Sequence, residues 1–246
     1  MLQKNDPIEV LRNKIDTNQT TFGMYCQLDK KIVTFLNCYS YLFFRKKANI
    51  YKDFDSIYCD GIILQKLVRT IGVNTQRVSF DMTSLAPVLF DFAEKGNYTI
   101  AIVGSEESNL DAAINNIQKR YPKLNFIEKR SGFFANEVER ESYIKKLTCL
   151  KPDIVIVGMG TPLQDFFLTD LKKEGWEGLG YTCGGFIHQT ASKGVKYYPK
   201  FIDKYNLRWL YRIYDEPKLL KRYAFYYPLS LLFFIYDAVS YKLKSR

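Results

Sequence analysis

The chain has 246 residues, 47% hydrophobic and 16% aromatic, so it can bury a core and is too apolar to be disordered. Its formal net charge of +10 favours a polyanionic partner, such as anionic lipid, nucleic acid or a phosphate-bearing substrate. The five cysteines are scattered without CxxC spacing, which predicts buried thiols in a reducing compartment rather than disulfides or a zinc site. They are Cys26, Cys38, Cys59, Cys149 and Cys183. The N-terminus lacks an apolar signal segment, so we expect a cytoplasmic protein.

In chain order, β-branched runs alternate with helical segments. The predicted strands are Lys31–Phe35, Ser56–Cys59, Tyr98–Val103, Leu124–Lys129, Ile154–Val157 and Leu179–Thr182. The predicted helices are an apolar segment that ends at Phe44, then Ile62–Thr70, Asn109–Tyr121 with Ser108 as N-cap, Glu137–Leu150 and Gln164–Glu174. This alternation predicts right-handed βαβ units in an α/β fold, a Rossmann-like parallel sheet with helices on both faces.

Small or polar residues directly follow four of the predicted strands. They are Asp60, Gly104, Gly158 and Gly184. Because parallel sheets bind ligands beyond the C-terminal ends of their strands, these positions predict one shared cleft.

The aliphatic run Ile154–Val157 predicts a strand buried on both faces, and it ends in a turn with two glycines, Gly158-Met159-Gly160-Thr161-Pro162. A helix is predicted to begin at Gln164, so backbone N–H groups of the turn are available to bind an anion. This pattern favours a phosphate or nucleotide site, although an ordinary βα turn has the same appearance.

The C-terminal region combines basic and aromatic residues. Its lysines and arginines are Lys193, Lys196, Lys200, Lys204, Arg208, Arg212, Lys218, Lys221, Arg222, Lys242, Lys244 and Arg246. The apolar segment Tyr226–Val239 is shorter than the roughly 20 residues of a membrane span, and Asp237 interrupts it. We expect a helix that lies in the membrane interface, and a helix docked into the core is the alternative. The predicted division is therefore a catalytic domain, 1–195, and a membrane-associating appendage, 196–246.

Five motifs follow one another from about Asp16 to Tyr223. They are Asp60-Gly61, Arg77-Val78, the Gly158–Asp165 segment, Gly184-Gly185-Phe186, and the Leu207–Arg212 run with Glu216-Pro217 and Arg222-Tyr223. Together they resemble the WecG/TagA/CpsF family of bacterial glycosyltransferases. The resemblance implies an inverting enzyme that transfers a sugar, N-acetylmannosamine-type or another hexose, from a UDP-sugar to a polyprenyl-diphosphate-linked acceptor. It also implies a role in cell-surface polysaccharide synthesis, without a metal or other cofactor.

The resemblance assigns roles to individual residues. Asp60 is expected to be the general base, although an aspartate here could equally cap the following helix. Thr34 would stand near the sugar, but its spacing to Asn37 is one residue longer than in the family, so an ordinary strand threonine is an equal alternative. The remaining residues are expected to bind substrate: Asn37, Arg77, Gly104, Gly158, Gly160, Thr161, Gln164, Gly184, Gly185, Arg212 and Arg222. For the arginines, this means holding the diphosphate of the departing UDP.

Two other patterns are read as structural. Asp53-Phe54-Asp55 matches the DxD motif of metal-dependent glycosyltransferases, but it precedes its strand and so lies at the opposite end from Asp60. We expect it to be a solvated turn. His188, the only histidine, is expected to be structural.

Two other functions fit parts of the sequence. A nucleotide-dependent oxidoreductase would fit the turns at Gly104 and Gly158, but neither turn is GxGxxG. A non-catalytic membrane or RNA adaptor would leave the polar strand ends unexplained. We therefore expect a peripheral protein on the inner face of the cytoplasmic membrane, with no nucleic-acid partner and with its oligomeric state open.

Overall fold

The computed structural model describes residues 6–15, 30–195, 201–202 and 207–245. Its centre is one sheet of six strands, and every neighbouring pair is parallel. The strands are β1 (Lys31–Leu36), β2 (Ser56–Cys59), β3 (Thr99–Gly104), β4 (Asn125–Arg130), β5 (Ile154–Gly158) and β6 (Leu179–Thr182). Their order is β2-β1-β6-β5-β3-β4. The predicted parallel α/β fold is confirmed.

Ten α-helices lie in the described part of the chain. They are α1 (Pro7–Lys14), α2 (Cys38–Phe44), α3 (Ile62–Thr70), α4 (Leu85–Gly96), α5 (Glu107–Gln118), α6 (Glu137–Leu150), α7 (Leu163–Lys173), α8 (Phe186–Lys193), α9 (Arg208–Asp215) and α10 (Tyr227–Lys244). Shorter turns of helix occur at Ile50–Lys52 and Pro217–Leu219, and a π-helical turn spans Arg222–Tyr226.

The sheet is buried on both faces, because successive strand residues point to opposite sides. On β5, Val155 and Val157 join the core beneath α1, α2, α6 and α7, whereas Ile154 and Ile156 join the core beneath α4, α5 and α8. All four are fully buried. This is why the strand is a continuous aliphatic run rather than an alternating one.

Most predicted elements lie within one residue of their observed bounds, and Ser56–Cys59, Ile62–Thr70, Glu137–Leu150 and Leu179–Thr182 coincide with them. The predicted start of α5 was wrong. Glu106, not Ser108, is its N-cap, and Glu107 lies in the first turn, where a carboxylate favours the helix dipole. The helix also ends at Gln118, before the predicted Tyr121. Helices α1, α4, α8 and α9 have no counterpart among the predicted elements.

The strand order reverses beside β1, and this creates the cleft. From β1 the chain passes outward to β2, then crosses to the far side of the sheet for β3 and β4, and returns through β5 to β6 at the other side of β1. Loops at the C-terminal ends of β1 and β6 therefore leave in different directions. Such a switch point is where open α/β sheets bind ligands.

The C-terminal helix α10 packs on the α/β core. It contacts α1 and α2, and Phe234 is 1% exposed within the core. Asp237 is also buried, where it accepts hydrogen bonds from Arg45 (2.8 Å, twice) and from the Tyr41 hydroxyl (2.7 Å). The Asp237 carboxylate, which interrupts the apolar segment, thus holds one face of α10 against α2. This face of α10 is docked into the core, as the alternative prediction for the segment stated.

We expect Asp237→Ala to destabilise the protein by about 3 kcal/mol, because it leaves the Arg45 guanidinium and the Tyr41 hydroxyl without their acceptor. Urea unfolding would measure the change in the free energy of unfolding. Asp91→Ala, on the exposed face of α4, is the matched control and should change it by less than about 0.5 kcal/mol. Equal effects of the two substitutions would contradict the docked position of α10.

Some predictions concern single residues or lie outside the described ranges. Cys38, Cys59 and Cys183 are buried as expected, but Cys149 is exposed, because α6 buries its Tyr143-Ile144-Leu147 side instead. Cys26, Lys196, Lys200, Lys204 and Arg246 lie outside the described residues. Among the helices that are described, none is both long and apolar enough to cross a bilayer.

Candidate active site

A cavity of about 780 Å³ opens beyond the C-terminal ends of β1, β2, β5 and β6. Eleven of the thirteen predicted site residues line it: Asn37, Asp60, Arg77, Gly158, Gly160, Thr161, Gln164, Gly184, Gly185, Arg212 and Arg222. Thr34 and Gly104 are not among the lining residues. The expected convergence of strand ends on one cleft is therefore found for Asp60, Gly158 and Gly184, but not for Gly104.

Asp60 directly follows the C-terminal end of β2, and its backbone N–H donates a hydrogen bond to the Leu36 carbonyl oxygen of β1 at 2.7 Å. The N-cap of α3 is Gly61, and no side chain caps that helix. The structure therefore excludes the capping alternative for Asp60. Its carboxylate lines the cavity instead.

The electrostatics around Asp60 suit a proton acceptor. Burial is the main cause that raises the pKa of Asp60, and the Asp81 carboxylate raises it further. The positive charges of Arg212, Arg77 and Arg208 act in the opposite direction. A base of raised pKa binds a proton more strongly, so this environment favours general-base chemistry.

Arg77 is held beside Asp60 by the backbone. The segment after α3 forms a parallel bridge between Arg77 and Cys59, in which the Val78 N–H donates to the Cys59 carbonyl at 3.0 Å. Arg77 therefore enters the cavity next to the strand that delivers Asp60.

An ion pair closes the same side of the cavity. Arg208 of α9 lies 2.8 Å from the carboxylate of Asp81, and each side chain is 12% exposed. Asp81 also accepts hydrogen bonds from Ser79 (2.7 Å) and from the backbone N–H of Thr83 (2.8 Å). This cluster joins the C-terminal region to the loop after Arg77.

The turn between β5 and α7 forms another wall. Gly160 has φ +76°, a left-handed conformation that favours glycine. The Gln164 side chain accepts a hydrogen bond from the Gly184 N–H at 3.0 Å and donates to the Thr161 hydroxyl at 3.4 Å. Gln164 therefore connects the β5–α7 turn with the β6–α8 turn, and it leaves glycine-rich backbone at the cavity surface.

Thr34 lies beneath this wall rather than in the cavity. It is fully buried, and its hydroxyl donates to Asp165 at 2.6 Å and lies 3.0 Å from the Thr182 hydroxyl. The pKa of Asp165 is raised to about 6, because burial outweighs the hydrogen bonds from Thr34, Tyr51 and Thr161, which act to lower it. Thr34 is thus placed to hold the β5–α7 turn in position through its hydrogen bond to Asp165.

Gly104 has a packing role. A Cβ at this position would lie 2.3 Å from the carbonyl oxygen of Gly158, so only glycine lets β3 and β5 end side by side. The next residue, Ser105, lines the cavity instead, and its backbone N–H donates to that same carbonyl at 3.2 Å.

The start of α2 and the C-terminal region also line the cavity. Asn37 lines the cavity and also caps α2, accepting from the backbone N–H groups of Tyr39 and Ser40 at 3.0 Å. The Arg222 guanidinium lies 4.0 Å from the centre of the Tyr39 ring. His188, expected to be structural, is a half-buried lining residue.

The Asp53–Asp55 pair lies away from the cavity. Asp55 pairs with Lys172 (2.7 Å) and accepts from the Ile32 N–H (2.8 Å), and Asp53 pairs with Lys173 (2.9 Å). Both carboxylates are therefore held at the N-terminal side of β1. In the described ranges, no group of three His, Cys, Asp or Glu is placed to hold a metal ion.

Sequence reasoning missed Asp81 and Arg208 as a pair. Asp81 is a carboxylate between the apolar residues Phe80 and Met82, four residues after Arg77. An acidic residue in such a setting is a signal for a buried partner, but the partner lies 127 residues further along the chain.

The fold and the cavity define an α/β protein with a large cleft at the switch point of its sheet. Comparison with known proteins gives the family: a model of the glycosyl transferase WecG/TagA/CpsF family matches residues 10–246. The chain belongs to this family.

One curated relative is the UDP-Gal:alpha-D-GlcNAc-diphosphoundecaprenol beta-1,4-galactosyltransferase of Shigella boydii. It is 38% identical over 205 residues, which cover 83% of this chain and 85% of the relative. A solved structure, an extracellular ligand-binding receptor from Rhodopseudomonas palustris, matches 68% of this chain and 65% of its own. Its identity is 14% and its TM-score 0.36, so it supports no further argument. The resemblance to the family is confirmed, and the oxidoreductase and adaptor alternatives lose their support.

Proposed function

We propose that this glycosyltransferase moves a hexose from a UDP-sugar to a saccharide linked to polyprenyl diphosphate, in the synthesis of a cell-surface polysaccharide. The observation that carries the proposal is the meeting of Asp60, Arg77 and Arg212 with a glycine-rich turn in one cavity. The relative's name adds candidates: UDP-galactose as donor, and GlcNAc on diphosphoundecaprenol as acceptor.

The proposed reaction is a single displacement with inversion. A hydroxyl oxygen of the acceptor attacks the anomeric carbon, its proton passes to Asp60, and the bond from that carbon to the β-phosphate oxygen breaks. Negative charge develops on the departing UDP, where Arg77, Arg212 and backbone N–H groups of the Gly158–Thr161 turn would stabilise it. No covalent intermediate on the enzyme is needed.

We further propose that the protein docks peripherally on the inner face of the cytoplasmic membrane. Helix α10 and the turn before it carry an exposed apolar stripe, defined here as Phe225, Leu229, Leu232, Tyr236, Val239 and Leu243, which are 39–73% exposed. Spacings of three and four residues place them on one side of the helix. Lys242 and Lys244 follow at its end, where they would meet anionic headgroups. The division into a catalytic domain, 1–195, and an appendage, 196–246, stays part of this proposal.

We also propose that transfer needs no metal ion, because the acidic pair Asp53 and Asp55 is engaged with lysines away from the cavity. Excess EDTA is therefore expected to leave the transfer rate unchanged, and Asp53→Ala should be nearly silent. Loss of activity on chelation, with recovery on addition of manganese or magnesium, would contradict the metal-free mechanism.

Two experiments test the function. Thermal shifts with UDP and with NAD compare the nucleotide classes, and UDP alone is expected to raise Tm. A panel of UDP-hexoses is then assayed for UDP release with GlcNAc-diphosphate lipid, and release should depend on the acceptor. Stabilisation by NAD and not by UDP would overturn the proposal.

A further inference from the structure

The cavity has an apolar end that the sugars and the nucleotide do not require. Ile62 and Ile63, directly after Asp60-Gly61, line it although they are 37% and 41% exposed. Tyr227, Pro228 and Leu231 line the same cavity from the start of α10. Exposed isoleucines beside a catalytic carboxylate are costly in water, so an apolar ligand is the natural partner for this end of the cavity.

Helix α10 divides its surface into three sides. Ser230, Phe234 and Asp237, spaced by four and three residues, are buried against the domain. Pro228 and Leu231 face the cavity. The exposed apolar stripe occupies the remaining side. It adjoins the cavity-facing side because Leu232 of the stripe follows Pro228 at i+4, and the exposed Ile235 follows Leu231 at i+4. The apolar surface is therefore continuous from the cavity to the outside of the molecule.

Basic residues line the same cavity. Arg212, Lys218 and Arg222 all line the cavity, and Arg222 also covers the face of Tyr39 at 4.0 Å. The cavity thus combines a carboxylate, cations and apolar side chains in its lining. A sugar joined through a diphosphate to a hydrocarbon chain has a group suited to each of them.

We infer that the apolar end of the cavity, formed by Ile62, Ile63, Pro228 and Leu231, seats the first isoprene units of the acceptor's own lipid chain. The chain then leaves along the exposed apolar stripe towards the bilayer. This inference rests on the proposed function, since it takes the acceptor to be a polyprenyl diphosphate. It assigns the lipid a direct binding site on the enzyme, beyond its role as a membrane anchor.

The test compares two soluble acceptors, GlcNAc-diphosphate esterified with a methyl group and with a farnesyl group. Their Kd values are measured by calorimetry, without donor, membrane or detergent. We expect the farnesyl ester to bind at least about tenfold more tightly to the wild-type protein, because the apolar groups become buried. Ile63→Ser and Leu231→Ser should each reduce that ratio several-fold. Val138→Ser, at a more exposed apolar position on α6 (75% exposed), is the control and should keep it.

A wild-type ratio near one would overturn the inference, and so would a ratio that survives both cavity substitutions. Light scattering of the same samples identifies the rival occupant, a second copy of this chain. If Leu231→Ser converts a dimer into a monomer and leaves the ratio intact, the apolar end is an interface and the inference fails. Because binding is measured without donor, failure of the proposed function would appear separately, as preferential farnesyl binding without sugar transfer to either ester.

Discussion

Asp60→Asn is expected to lower kcat for sugar transfer by about 10³-fold and to leave UDP binding nearly unchanged. The amide preserves the size of the side chain but cannot take the proton of the attacking hydroxyl. Single-turnover transfer to a soluble acceptor measures the chemical step, and calorimetry measures UDP binding. Asp53→Asn, at the other end of the sheet, is the matched control. If the Asp60 variant keeps near wild-type turnover, another group is the base.

The pH profile gives the same test a second readout. The base acts when deprotonated, so activity is lost as pH falls through its pKa. Since burial and Asp81 raise the pKa of Asp60, the acidic fall of kcat/KM should lie above the ordinary aspartate value of about 3.9. The residual activity of Asp60→Asn should lack this fall.

Arg212→Ala is expected to reduce kcat by about 10²-fold, because a cation that stabilises the departing diphosphate is lost. Arg212 is well placed for this role, because it lines the cavity and its positive charge acts to lower the pKa of Asp60. Its guanidinium also lies close to Gly185, where an added Cβ would be 3.3 Å away. Arg212→Lys should recover part of the rate, since it keeps the charge but not the two-pronged geometry.

The control for Arg212 is Arg120→Ala, at an exposed position after α5, which should have wild-type activity. Truncation of 196–246 is a poorer test of the same idea. Residues of α10 belong to the core, so their removal also affects folding. If Arg212→Ala retains full activity, Arg212 does not stabilise the departing diphosphate.

The sheet was predictable because its strands are read from local composition. Buried parallel strands require continuous β-branched runs, and turn residues follow them, so the strand ends and the site at Asp60 and Gly158 could be located together. Helix α4 was not predicted. Its apolar positions, Leu85, Leu89 and Ala93, have helical spacing, but Pro87 in the first turn resembles a breaker although it is tolerated there.

Contacts between distant segments could not be predicted. The Asp81–Arg208 and Arg45–Asp237 pairs join residues far apart in the chain, and single charges give no sign of their partners. Thr34 shows a different limit. Thr34 lies on the same side of β1 as Ile32 and Leu36, so its hydroxyl donates to Asp165 and does not reach the cavity. Its position near the end of the strand did not show to which side of the sheet the side chain points.

The stereochemistry of the product tests the central claim most directly. The purified protein is incubated with UDP-galactose, or whichever UDP-hexose the panel selects, and with GlcNAc-diphosphate lipid, and proton NMR determines the new linkage. Attack assisted by Asp60 in a single displacement predicts a β-linkage from the α-linked donor, with one UDP released for each sugar transferred. A product with retained configuration, or no product from any UDP-hexose with folded protein, would contradict the account.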